Sequence, residues 1–514
     1  MEPLPAATPP GVPPQRRRRL QDLGLVAGPA LAALAFAALP DSYTSASGEP
    51  VPLSDAGRAT AAVAVWMATW WLSEAIAVAA TALLPLALFP LLGVAPMEEA
   101  AAPYAHPLVF LFVGGFLVAL AMERCGLHRR LALRVLRLSG SRPSQIVAAF
   151  MLATALLSMW ISNTAAAIMM LPVALSVVDL AGAQVSDESR RRFGLALLLG
   201  IAYAASLGGI ATPIGTPPNL LLLSYLKSQL GLEIGFARWM AVGVPLVAAY
   251  LPLCWWLLTR SLRRDAGWRL EGAGALVAGG LGGLGPLGAA ERRVLVVFLA
   301  TCALWIGRPL LAELPVAGAR PFAGLSDAGI AMLASLALFA LPAGRDAQGA
   351  LRFPLDWETA LRLPWGILVL FGGGLSLAAA VQANGVDEWI GAQVAGFAGL
   401  PSPLIVLGVV TVVIFLTELT SNTATTATFL PILGALAGGL GVDPLLLLVP
   451  ATLAASCAFM LPVATPPNAV VFASGLISIP QMSRAGFWLN WIGVALITGA
   501  TYALVAPILG AATG

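Results

Sequence analysis

Two long stretches of this chain carry almost no charge. Residues 143–186 contain one ionisable acid, Asp179, and residues 389–442 contain only Glu418. About 20 consecutive apolar residues suffice to cross a bilayer, so each stretch can enter a membrane and return. The remainder agrees: the chain is 59% hydrophobic and 10% charged, where an ordinary globular domain carries about a quarter charged residues. A secreted disulfide scaffold, a disordered chain and a cytosolic multidomain enzyme are excluded. An all-α polytopic membrane protein is expected. The net charge of +3 points to no nucleic-acid or acidic partner.

Arginines give the orientation. Arg16–Arg19 precede the first apolar run, and cytoplasmic loops are enriched in Lys and Arg, so the N-terminus is expected in the cytoplasm. The segment 41–57 has no Lys or Arg and belongs outside. Residues 59–93 read as two spans with a turn at Ser73-Glu74. Arginines 124–142, 190–192, 260–269, 345–362 and 484 all fall inside, and the C-terminus falls outside. Arg308 and Arg320 are exceptions. The resulting division is a cytoplasmic tail 1–22, a first span and outer loop 23–58, a first repeat 59–269, a flexible Gly-rich connector 270–290 and a second repeat 291–514.

The halves are copies. LFVGGFLVALAMERCG at 111–126 aligns with LFGGGLSLAAAVQANG at 370–385, and Ser162-Asn163-Thr164 with Ser421-Asn422-Thr423, all at one spacing of 259 residues. Gly215-Thr216-Pro217-Pro218-Asn219 matches Ala464-Thr465-Pro466-Pro467-Asn468 at a spacing of 249. Each half has five spans plus one stretch, around its SNT motif, that leaves and returns on the same side, as two spans or as a re-entrant hairpin. Five is odd, so the second copy is inverted. Inverted repeats are a recurring transporter design, with the site near the midplane.

Four polar breaks carry the chemistry. Asn and Thr in the middle of an apolar stretch are costly unless hydrogen-bonded. A half-helix ending at SNT exposes carbonyls and the next exposes N–H groups, with about half a unit charge at each end. The paired prolines remove donors and free carbonyls. Neutral Ser, Thr, Asn and carbonyl oxygens suit hard cations. No Arg or Lys lies in these motifs, so a buried anion needs bound cations beside it to offset desolvation.

The segments SMWISNTAAAIMMLPV, GGIATPIGTPPN, TELTSNTATTATFLP and CAFMLPVATPPNAVVFASG resemble the divalent anion/sodium symporters, the family of dicarboxylate and citrate transporters. The resemblance covers about Trp70 to the C-terminus. It implies an elevator-type homodimer with about eleven transmembrane helices and two re-entrant hairpins tipped by SNT. It implies a first sodium site from Ser158, Ser162, Asn163 and the Gly215 carbonyl, and a second from Thr417, the Thr420 carbonyl, Asn422 and the Ala464 carbonyl. Substrate carboxylates would meet Asn163, Thr164, Asn422 and Thr423, with Thr216, Thr465 and Pro466 lining the pocket. Thr after both Asn residues resembles the type that takes C4-dicarboxylates such as succinate, malate or fumarate. Sodium-coupled uptake across a bacterial inner membrane is expected. The alternatives are a sodium-independent exchanger, or a preference for citrate or sulfate.

Other features read as structural. Cys125, Cys254, Cys302 and Cys457 are isolated apolar residues, and His128 is a solvated loop residue. Gly114, Gly115 and Gly372–Gly374 let helices approach. Glu418 reads as an acid snorkelling to the interface. No acid/base pair, nucleophile or metal cluster suggests an enzyme, and sodium is the only expected cofactor-like partner besides lipid.

Overall fold

The computed structural model describes residues 14–44, 49–265, 268–315, 319–345, 348–394, 396 and 399–512. Among them, nine helices are long and apolar enough to cross a membrane. The first candidate span, Arg19–Ala38, lies on a helix Pro14–Ala38 that takes in the arginine run expected to be tail, and residues 1–13 lie outside the described residues. Two short antiparallel ribbons, Ser42–Thr44 with Pro50–Pro52 and Gly344–Arg345 with Leu351–Arg352, complete the secondary structure.

Helix Asp187–Ile210 is the centre of the larger hydrophobic core. Its residues from Phe193 to Ile210 are almost all buried. It packs on both arms of a hairpin, Pro143–Ser158 and Asn163–Gly182, on Phe236–Thr259, and on Pro466–Phe472 from the other half. Glycine permits this density: a Cβ added at Gly208 would stand 2.4 Å from the Ala155 carbonyl oxygen. The second half repeats the hairpin with Ser402–Thr417 and Asn422–Leu440. The entering arms have 16 residues each, which at 1.5 Å per residue falls short of an apolar thickness of about 30 Å.

Two further helices are interrupted: Asp187–Ile210 resumes as Pro217–Leu230, and Leu445–Ala455 resumes as Pro466–Phe472. The prolines stand at the first positions of the resumed helices, where an N–H has no intrahelical partner in any case. The carbonyls left free in the preceding turns are taken by asparagine side chains. Asn219 Nδ2 donates to the carbonyls of Gly209, Ile210 and Thr212 at 3.1, 3.4 and 2.8 Å. Asn468 Nδ2 donates to Ala458 and Leu461 at 3.2 and 3.0 Å.

The glycine pairs do pack closely. A Cβ at Gly114 would lie 2.7 Å from the Ala331 backbone carbon, and one at Gly373 would lie 2.3 Å from the Ala82 carbonyl oxygen. Several expectations need correction. The turn at Ser73-Glu74 is present, with Glu74 left-handed at φ 50°, but two short helices follow it, Val78–Thr81 and Leu84–Leu91, instead of one long span. The Gly-rich connector is ordered, not a flexible loop: Ala273–Gly282 is helical and lies against the amphipathic helix Leu127–Leu136. Arg130 on that helix fixes the following turn through the carbonyls of Leu284, Gly285 and Pro286 and through Glu291 at 2.7 Å. His128 is half-buried rather than solvated; its Nδ1 lies 3.0 Å from the Met122 carbonyl, and burial, helped by Arg129, pushes its pKa below the ordinary value. Arg308, the orientation outlier, is neutralised by Asp327 at 2.8 Å and Glu233 at 3.6 Å.

Gly373→Ala drives a methyl into the Ala82 backbone, which cannot retreat. Overpacking of this kind costs about 1–3 kcal/mol, so the variant is expected to lower the thermal unfolding midpoint in detergent. An unchanged midpoint would show that the helix Trp365–Ala383 has room to shift.

Candidate substrate and cation site

Hairpin tips and helix breaks converge because each is capped locally by its own sequence. Ser162 precedes the helix that begins at Asn163, and its Oγ accepts from the Ala165 N–H at 3.1 Å. Thr465 does the same for Asn468 N at 3.3 Å. Such caps satisfy N–H groups that a helix start leaves free.

Below the first tip sits a nest of oxygen atoms. A serine hydroxyl has one proton, and Ser158, fully buried, gives it to the Ala205 carbonyl at 2.6 Å. Asn163 must therefore turn its amide nitrogen inward. So oriented, it donates to Ser158 Oγ at 2.6 Å and to the Gly215 and Ala205 carbonyls at 3.2 Å each. The second half repeats the pattern with a threonine: Thr417 Oγ1 lies 2.9 Å from both the Ala455 carbonyl and Asn422 Oδ1. In the first nest a neutral N–H donor stands among three oxygens, an environment that equally suits a small hard cation. Rotating the amide presents its own oxygen as a further ligand.

Thr420 is buried and its hydroxyl is engaged with the Leu416 carbonyl and, at 2.6 Å, with Thr425 Oγ1. That leaves its carbonyl as the group to offer. Among the described residues no three His, Cys, Asp or Glu side chains gather as a metal cluster, so any cation held here meets neutral oxygens.

Both tips and both breaks open on one cavity of about 550 Å³. Its wall includes Ser162, Asn163, Thr164, Gly215 and Thr216 from the first half, and Ser421, Asn422, Thr423, Ala464, Thr465 and Pro466 from the second. Ser158, Thr417 and Thr420 lie beneath this surface instead of on it. The fold thus brings together every residue singled out in the motifs. The volume suits a small molecule, and the N-termini of the helices Asn163–Gly182 and Asn422–Leu440 stand at its wall, a ready arrangement for carboxylates.

The motifs did not announce three charged members of the wall, Glu74, Glu123 and Arg362. Arg362 corrects the expectation of a site without a cationic side chain. It looked like one more cytoplasmic arginine, and no sequence signal separated it from its neighbours. Glu418 also departs from expectation. It does not snorkel: its side chain is buried and hydrogen-bonded to backbone N–H groups of the second break.

Asn219 and Asn468 hold the breaks in shape. Replacing either by Ala strands buried carbonyls at about 1–3 kcal/mol. Thermal unfolding of both variants is expected to shift down by comparable amounts, and a neutral result for either would show that its break is held by something else.

The model of the sodium:sulfate symporter transmembrane region matches residues 45–509. The sodium-dependent dicarboxylate transporter SdcS of Staphylococcus saprophyticus is 43% identical over 495 residues, covering 95% of this chain and 92% of that protein. SdcS of Staphylococcus aureus strain USA300 is 41% identical with the same coverage. Among solved structures, Neisseria gonorrhoeae MtrF, from a class of antimetabolite efflux pumps, is similar with a TM-score of 0.60 and 13% identity over 96% of each chain. The Alcanivorax borkumensis YdaH transporter is similar with a TM-score of 0.57 and 15% identity, covering 94% of this chain and 97% of that one. These two likenesses concern the fold.

Proposed function

The chain belongs to the sodium:sulfate symporter transmembrane family, whose curated relatives are transporters and not enzymes, and from that premise we propose that it couples sodium entry to dicarboxylate uptake. It is an integral membrane protein. The observation that carries the reading is the duplicated nest: Ser158 with Asn163 and Thr417 with Asn422, each beneath one side of a single cavity. In this reading Ser158, Ser162, Asn163 and the Gly215 carbonyl hold one sodium. Thr417, Asn422 and the Thr420 and Ala464 carbonyls hold the other.

The carboxylates of a C4 diacid such as succinate, malate or fumarate meet Asn163-Thr164 and Asn422-Thr423, between Thr216, Thr465 and Pro466. Two cations next to a dianion remove most of the cost of burying its charge. Each net charge that crosses is worth about 2.3 kcal/mol per 100 mV, so an excess of sodium over substrate charge makes uptake voltage-driven.

The cavity wall also includes Glu123 and Arg362, beside the loops whose arginines mark the cytoplasmic side, and this supports an inward-open state. The interlocking of hairpins with broken helices supports movement of the site as one body, an elevator, within a dimer. The same reading keeps about eleven spans, two re-entrant hairpins and the inverted repeats 59–269 and 291–514. It places the protein in a bacterial inner membrane with the N-terminus inside and the C-terminus outside.

Purified protein in liposomes is expected to accumulate succinate only under an inward sodium gradient. Equal uptake without sodium, given counter-substrate inside, would make it an exchanger, and stronger inhibition by citrate or sulfate than by malate would move the substrate class. Asn163→Ala and Asn422→Ala each remove a ligand to both sodium and substrate, so initial uptake is expected to fall about tenfold or more. Normal accumulation by either folded variant would sink the assigned site.

A further inference from the structure

Glu418 is the one acid in the apolar stretch 389–442, and the transport reading gives it no task. Its carboxylate is 3% exposed. Oε1 accepts from the Phe459 N–H at 2.7 Å, the Met460 N–H at 3.0 Å and Asn490 Nδ2 at 2.9 Å. Oε2 accepts from the Met460 and Leu461 N–H groups at 3.0 and 3.3 Å. All of these partners are neutral donors. Backbone N–H groups collected on an anion stabilise it strongly, and here they come from the segment between the helices Leu445–Ala455 and Pro466–Phe472. From Leu461 the chain turns once, with Ala464 N donating to the Leu461 carbonyl at 3.2 Å, and that turn ends at the Ala464 carbonyl of the second cation site. Thr417, whose hydroxyl touches Asn422, immediately precedes Glu418.

The first repeat anchors the same turn without charge. The spacing that relates the SNT motifs puts position 159 opposite 418, and the spacing of the TPPN motifs puts 212 opposite 461. In the first repeat the side chain of Thr212 donates to the backbone carbonyl of Met159 at 2.6 Å, and Gly215 N closes the turn on the Thr212 carbonyl at 3.4 Å. Two equivalent positions therefore form the anchor in both repeats, by opposite chemistry: hydroxyl to carbonyl in one, carboxylate to N–H groups in the other. A buried carboxyl group thus accompanies only one of two otherwise matching nests.

We propose that Glu418 is a positioning residue and counter-charge that makes the second cation site the stronger of the two, so that the paired sites fill unequally and the second fills first. The proposal rests on the sodium-coupled reading. In a medium of reduced dielectric a unit charge within about a nanometre biases a cation by an amount worth about tenfold or more in affinity.

The test compares uptake of succinate by reconstituted protein across a sodium series. Glu418→Gln keeps an acceptor but no charge. It is expected to raise the sodium concentration for half-maximal uptake about tenfold, with the succinate KM at saturating sodium unchanged within twofold. The double variant Glu418→Met with Leu461→Thr grafts the neutral anchor of the first repeat into the second. It is expected to restore the unfolding midpoint but not the sodium dependence. Asn490→Leu removes one donor and leaves the charge, and is expected to shift the sodium dependence less than threefold.

A double variant with native sodium dependence would overturn the proposal, showing that Glu418 acts through shape alone; so would Glu418→Gln with an unshifted curve. Should Glu418→Gln fail to fold, the double variant against the native protein decides. Sodium-independent uptake by the native protein would instead overturn the sodium-coupled reading itself, a result distinct from either.

Discussion

Everything in this structure depends on one constraint: inside a bilayer, backbone polar groups must find partners within the protein. The chain is interrupted at two hairpin tips and two helix breaks, and each interruption would strand carbonyls and N–H groups. The chain answers with short side chains from the same neighbourhood. Asn219 and Asn468 reach back to the carbonyls before the break, Ser162 and Thr465 cap the helix after it, and Glu418 gathers N–H groups that nothing else could reach. With these groups partnered, the remaining oxygens can be aimed at one place.

That aim produces a site of unusual electrostatic composition. Its wall combines hydroxyls, amides and carbonyls with three ionisable side chains, Glu74, Glu123 and Arg362. Neutral dipoles discriminate by distance and number of ligands more than by attraction at long range. Charged side chains act over a longer reach. Arginines elsewhere do structural work that orientation counting hides: Arg130 holds the connector turn, and Arg308 is paired with acids on either side.

Much of this was legible in the residues, and the reason is duplication. One SNT in an apolar stretch is ambiguous between a turn and a site; a second at the matching position, with a TPPN accompanying each, shifts the reading toward a site. The same logic located Ser158 and Thr417 through resemblance and Asn219 and Asn468 through the motif itself. What stayed hidden were features present in only one copy. Glu418 stands opposite a methionine, so symmetry said nothing of it. Arg362 lies in a loop where every arginine looked alike. His128 and the helix Ala273–Gly282 were read from local polarity and glycine content, and tertiary packing overrode both. The role given to the prolines also changed, from breakers that free carbonyls to starters of the next half-helix.

Close approach of backbone at the first tip has a consequence for how such a protein diversifies. A Cβ at Gly209 would lie 2.7 Å from the side-chain amide of Asn163, and one at Gly215 would lie 2.5 Å from the Gly209 carbonyl oxygen. There is no volume there for a new side chain, and the oxygens belong largely to main chain that substitution cannot alter. The cavity wall also carries the apolar side chains of Phe116, Ile367 and Val463, which can change without altering the main chain. A lineage of such proteins can therefore reshape the cavity by exchanging apolar wall residues while this crowded tip stays fixed.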